Sequence, residues 1–153
     1  MDETSTEVER VYRADARKMW GALVGFTGDR EIADDAVAEA FARAISYTGT
    51  IDDVRAWTWR VAFRVASAEV RRQHDQVDDP RVSADPSMGS VPDLVRALRA
   101  LPQNQRLALV LSDYADRPTA EVASILGCTR ATVYVHLSRG RRRLRVLLEV
   151  RDA

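Results

Sequence analysis

Between residues 130 and 143 the chain gathers side chains suited to gripping nucleic acid: Arg130, Thr132, Tyr134, Val135, Ser138, Arg139, Arg142 and Arg143. Guanidinium groups neutralise phosphates, an arginine fork can pair with O6 and N7 of guanine, and small polar or apolar tips touch base edges. Interleaved with them, Val133, Leu137, Leu144 and Leu148 recur mostly at steps of four and seven, the buried stripe of a helix. A shorter helical pattern precedes it, with Val122, Ala123, Ile125 and Leu126 as its apolar side and Thr119 placed to cap it. Gly127 between the two suits a left-handed turn, small Ala123 permits close helix approach, and Thr129 is placed to cap the second helix. The spacing Ala-x3-Gly-x5-Val with an arginine block behind it points to a helix-turn-helix whose second helix enters a major groove. An ordinary helical hairpin with a solvated charged face is the plainer alternative.

A second basic strip lies in the segment from Val54 to Arg72. Projected at about 100° per residue, Arg60, Arg64, Ser67 and Arg71 fall in one line, bordered by Trp57 on one side and Phe63 on the other. Arginines beside aromatic rings suit an unpaired strand, the cations taking phosphates while rings stack on bases. The competing reading makes Trp57, Trp59 and Phe63 core residues and the arginines a solvated edge; for Trp57 core is favoured.

These two sites need helices to hold them, and the patterning supplies helices alone. Glu7 to Leu23 carries Val8, Val11, Tyr12, Met19 and Leu23; Arg30 to Ser46 carries Ile32, Ala36, Val37, Ala40, Phe41, Ala44 and Ile45. A loop with Gly49, Asp52 and Asp53 leads into Val54 to Arg72, and Asp93 to Ala100 and Gln103 to Tyr114 precede the helix-turn-helix. Between the two groups, Gln73 to Pro92 holds three prolines, a glycine and no apolar period, the composition of a flexible linker. The expected fold is therefore all-α: two small helical domains, 1–73 and 93–153, joined by a linker over 74–92.

With 153 residues and 46% apolar content, the chain can bury one modest core or two small ones. Its zero net charge hides an asymmetry: residues 1–79 hold 11 basic against 16 acidic side chains, and 93–153 hold 11 against 6. One half suits phosphates and the other a different, more basic surface. The single Cys128 excludes an internal disulfide, no apolar run approaches a membrane span, and the acidic start is no signal peptide, so a cytoplasmic protein is expected.

Four short motifs, in order, resemble bacterial sigma factors of the extracytoplasmic-function group (group 4 of the sigma-70 family). Residues 32–41, IADDAVAEAF, resemble the acidic segment of region 2, and residues 56–62, AWTWRVA, the start of its promoter-reading helix. Residues 101–106, LPQNQR, resemble the opening of region 4, and Thr132-Val133 followed by Leu137 to Arg141 resembles its recognition helix. Each motif is weak alone; together they span Val8 to Val150. The resemblance implies a two-domain subunit that binds RNA polymerase core and directs promoter-specific initiation. It implies that the Arg30 to Ser46 helix meets the clamp helices of the largest subunit through Asp34, Asp35, Glu39 and Arg43, with region 4 near the flap. It implies that Arg60, Phe63, Arg64, Ser67 and Arg71, with the loop from Ser46 to Arg55, take the unpaired −10 strand. On the −35 duplex, Tyr134, Val135, Ser138 and Arg139 would read bases, with Arg130, His136, Arg141 and Arg142 on phosphates or in lateral support. In many relatives an anti-sigma factor holds the free subunit off.

The chain also departs from that pattern. Ala38 stands where the family usually has glutamine, and Arg64 and Ala68 where it has asparagine and aspartate. Tyr134 and Val135 replace a basic and a polar residue, which implies an altered −35 preference. Cys128 reads as a small filler, His74 and His136 lack ligand partners at metal spacing, and His74, Asp75, Asp78 and Asp79 read as solvated. No phosphate loop or nucleophile motif is visible, so no enzyme activity, metal or cofactor is expected and catalysis would belong to the polymerase. Two other readings remain at this level: a stand-alone helix-turn-helix regulator, and a polymerase-binding sigma-like protein without promoter activity.

Overall fold

The computed structural model describes residues 3–76 and 91–152, and among them every regular element is helical. The order is α1 (Glu3–Thr27), α2 (Arg30–Ser46), α3 (Val54–Gln76), α4 (Val91–Arg99), α5 (Gln103–Leu109), α6 (Thr119–Leu126) and α7 (Arg130–Asp152). A π-helical segment, Val110–Tyr114, continues α5. Most of the expected linker, and the His74, Asp75, Asp78 and Asp79 side chains, lie outside the described residues.

Helix α2 occupies the span its apolar stripe marks. Asp29 starts it: its carboxylate accepts the backbone N–H groups of Glu31 at 2.9 Å and Ile32 at 3.2 Å, satisfying two of the donors that open a helix. Ile32, Ala33, Ala36, Val37, Ala40, Phe41 and Ala44 are buried against α1 and α3. Helix α1 runs past the expected Leu23 to Thr27 and begins earlier, at Glu3. Its last turns are covered by the second half of the chain, with Arg106 over Phe26 and Val110 and Leu98 beside Gly25, a partner the local pattern does not reveal.

The two halves share one contiguous core. Helix α1 packs on α4 and on the π-helical segment, and α3 packs on α6. At Gly21 a Cβ would come within 2.2 Å of the Tyr114 hydroxyl, so any side chain there would displace that ring from its present seat, while Lys18 sits 4.5 Å over its centroid. Three arginines of the second half complete the seam. Arg99 donates to the Thr27 carbonyl at 2.6 Å, Arg106 lies 5.0 Å over Phe26, and Arg117 lies 5.1 Å over Trp59. Arg117 is held in turn by both carboxylate oxygens of Glu121, the contact that most raises its pKa. Beneath it, the Trp59 indole donates to Asp15 at 2.9 Å, an oxygen that also accepts from Arg55 at 2.8 Å.

Arg106 is the anomaly of this seam. It is only 6% exposed, its Nη1 reaches the Arg99 carbonyl at a long 3.4 Å, and its Nε has no partner among the described residues. Burial first, and the nearby Arg99 charge second, push its pKa down to about 10.

Candidate nucleic-acid interface

The α6–turn–α7 unit is built much as its residue types require. Gly127 takes φ +71° and ψ +38°, and the N–H of the following Cys128 reaches the Ala123 carbonyl at 3.0 Å, closing the C-terminus of α6. Thr129 caps α7 by accepting the Thr132 N–H at 3.2 Å. Thr119 does not cap α6: Pro118 occupies the capping position, its fixed φ leads into the helix, and Thr119 is already helical. Val133 and Leu137 are buried, while Leu144 and Leu148 are half-buried, because α7 continues past the elements that cover its first turns.

Gly140, which the apolar pattern passes over, sets how closely α7 lies on α5. A Cβ there would stand 3.1 Å from Leu109 Cδ1 and 3.4 Å from Gln105 Cβ, so a side chain would need the Leu109 tip to give by a few tenths of an ångström. Asp113 is a second positioning group the sequence did not disclose. It takes Arg141 bidentately at 2.9 and 2.6 Å, raising the Arg141 pKa mainly through those hydrogen bonds. Arg141 is thus a brace between α7 and the π-helical segment and not a free phosphate contact.

On the outer surface of α7, Arg130, Tyr134, Val135, Ser138, Arg139 and Arg142 are all exposed, and Thr132 is half-buried beside its cap. Tyr134 is 59% and Val135 45% exposed. From Arg130 to Leu148 the helix carries six arginines and no carboxylate. This is a cationic rod raised on a tight turn, the geometry that places the first turns of a helix against base edges.

The strip on α3 is only partly as expected. Arg64 and Arg71 are exposed and Arg60 is half-buried, but Ser67 is 91% buried and Phe63 is completely buried. Phe63 stacks on Trp59 with ring centroids 6.1 Å apart and leans on Phe26 of α1 at 5.9 Å. The ring expected to stack on a base is therefore core, because α1 supplies a cover that a one-helix projection cannot show. Arg64, with no carboxylate partner among the described residues, and Arg71 remain available. Trp57 is half-buried and meets Tyr47 at 5.7 Å, so an aromatic pair borders the loop before α3.

The opposite surface of α2 presents Asp34, Asp35, Glu39 and Arg43, all exposed. Asp34 accepts the Trp20 indole N–H at 2.7 Å, and Glu39 pairs with Arg43 at 2.6 Å. Solvent-exposed pairs of this kind contribute little to stability, roughly 0–1 kcal/mol, leaving the four groups cheaply rearranged.

Residues 93–144 match the family model for sigma-70, region 4, a span that takes in α6, the turn and most of α7. Over most of its length the chain is similar to proteins named as extracytoplasmic-function sigma factors. It is 27% identical over 142 residues to the ECF RNA polymerase sigma factor EcfG of Rhodopseudomonas palustris, covering 85% of this chain and 78% of that one. It is 29% identical over 154 residues to the ECF RNA polymerase sigma factor SigL of Mycobacterium tuberculosis, covering 91% and 87%. In fold it matches the sigma factor RpoE from Bartonella quintana, solved in complex with the anti-sigma factor NepR. That match has a TM-score of 0.72 at 23% identity and covers 95% of this chain and 96% of that one. Among the described residues no helix is long and apolar enough to cross a membrane.

Proposed function

We propose that this protein is an extracytoplasmic-function sigma factor, of group 4 in the sigma-70 family, that binds RNA polymerase core in the cytoplasm and directs promoter-specific initiation. The observation that carries the reading is the exposed face of Tyr134, Val135, Ser138 and Arg139 on α7, in a region 4 domain on a chain similar to such factors over most of its length. Residues 93–153 act on the −35 duplex, with Arg139 reading a base and Arg130 and Arg142 positioning the helix on phosphates. Residues 1–73 dock on the polymerase through Asp34, Asp35, Glu39 and Arg43 and receive the unpaired −10 strand along Arg60, Arg64 and Arg71. The relative solved with NepR supports an anti-sigma factor as a second partner. Bond-making is left to the polymerase.

Run-off transcription with purified core polymerase on a promoter library tests the assignment. Specific start sites that require this protein are expected. Tight binding to an inverted-repeat operator without polymerase, and no transcript with it, would instead mark a stand-alone regulator.

A further inference from the structure

The reading face of α7 has an uneven chemistry. Two of its polar candidates are already engaged: Thr132 with the Thr129 hydroxyl at 3.0 Å, and Arg141 with Asp113. What remains on the first turns, apart from Arg130, is apolar and exposed. Ala131, Tyr134 and Val135 share one face at steps of three and four, and Ser138 and Arg139 follow on the same face one turn later. Among the described residues nothing covers Tyr134 or Val135, and the arginines around them, Arg130, Arg139 and Arg142, lie on a helix that carries no carboxylate before Glu149. An apolar tip inside a cationic collar fits one feature of a polyanionic groove. The C5-methyl of thymine is the apolar group displayed on the major-groove floor, and no other base pair presents it.

Resting on the proposed function, we infer that Tyr134 and Val135 are specificity determinants that select thymine by its methyl group in the upstream promoter element, next to a guanine taken by Arg139. The helix rise sets the offset. Four residues between Val135 and Arg139 span about 6 Å, or about two base pairs at 3.4 Å each. The preferred element then has one or two thymines about two base pairs from a guanine.

The experiment starts from the upstream element recovered in the promoter library with core polymerase, and replaces each of its thymines by deoxyuridine, which removes only the methyl. Initiation is expected to fall about fourfold for each methyl contacted, equivalent to about 0.8 kcal/mol. A Tyr134→Ser/Val135→Ser variant should lose that sensitivity, and because both side chains are exposed it should keep wild-type helicity and melting. Arg139→Ala should keep the sensitivity to deoxyuridine and lose the preference for guanine. Specific initiation that ignores deoxyuridine to within twofold, or an element without thymine, overturns this inference and leaves the proposed function standing. If the serine variant loses initiation equally with thymine and deoxyuridine templates, the apolar tip contacts protein and the inference is wrong. Absence of any specific initiation overturns both.

Discussion

Replacing Arg106 by methionine should leave the protein as stable as before or slightly more stable, although it deletes a buried arginine at the seam between the halves. The guanidinium is 6% exposed and held near a pKa of about 10. A displacement of that size from the ordinary guanidinium value corresponds to a penalty on the charged form on the order of 3 kcal/mol. Against it stand the contact over Phe26, worth roughly 1–2 kcal/mol when desolvated, and one long hydrogen bond worth at most about 1 kcal/mol. The terms nearly cancel, and methionine keeps an unbranched apolar stem against Phe26. Urea unfolding at pH 7 should place Arg106→Met between no change and about 1 kcal/mol of added stability. The pH series gives the sharper reading. Because the folded pKa lies below the unfolded one, the unfolded chain binds more protons between them, and stability rises with pH there. Above about pH 10 the wild type should therefore gain on the variant by roughly 1.4 kcal/mol per pH unit, other titrations cancelling in the comparison. A variant destabilised by more than about 2 kcal/mol, with a difference that stays flat above pH 10, would refute the account of Arg106 as a buried, uncompensated charge.

Three further outcomes follow from the geometry. On the proposed function, Arg139→Ala should weaken use of some upstream elements by 1–3 kcal/mol and not others, whereas Arg142→Ala should weaken all equally and flatten the salt dependence by about one charge; equal effects on every promoter would dismiss Arg139 as a reader. Phe63→Ala should cost about 3–5 kcal/mol in chemical denaturation because the ring is core, while Arg64→Ala should stay within about 0.5 kcal/mol of wild type and lower affinity for a single-stranded −10 oligonucleotide. Gly127→Ala should lower stability by roughly 1–2 kcal/mol even though the space is open, since only the positive φ opposes it; a stabilised variant in thermal melts would remove that explanation.

Much of this architecture is legible in local pattern, and what is not has a common cause. The α2 limits, the left-handed Gly127 and the Thr129 cap all depend on residues within one or two turns, so the sequence displays them directly. Phe63 misleads because a helix projection identifies a strip but not the neighbour that covers its edge, here Phe26, 37 positions earlier. The seam itself, with Arg99, Arg106 and Arg117 reaching across to α1 and α3, involves side chains that read as ordinary surface charge until their partners are known. Gly140 and Asp113 were silent for the same reason: each matters only through an element distant in the chain. The exposure of Tyr134, Val135, Ser138 and Arg139 was readable because the Val133 and Leu137 stripe takes the buried face of α7 and leaves them outside it.

The docking of α6 on α3 and of α4 on α1 has a consequence of scale. A 153-residue globule has a radius of gyration of about 15 Å. Two promoter elements centred 25 base pairs apart are separated by about 85 Å of duplex. On the proposed function, the docked molecule is too short a ruler for the interval it must measure, so it can meet one landmark or the other but not both. Distance along the promoter then becomes something the polymerase imposes by prising the halves apart.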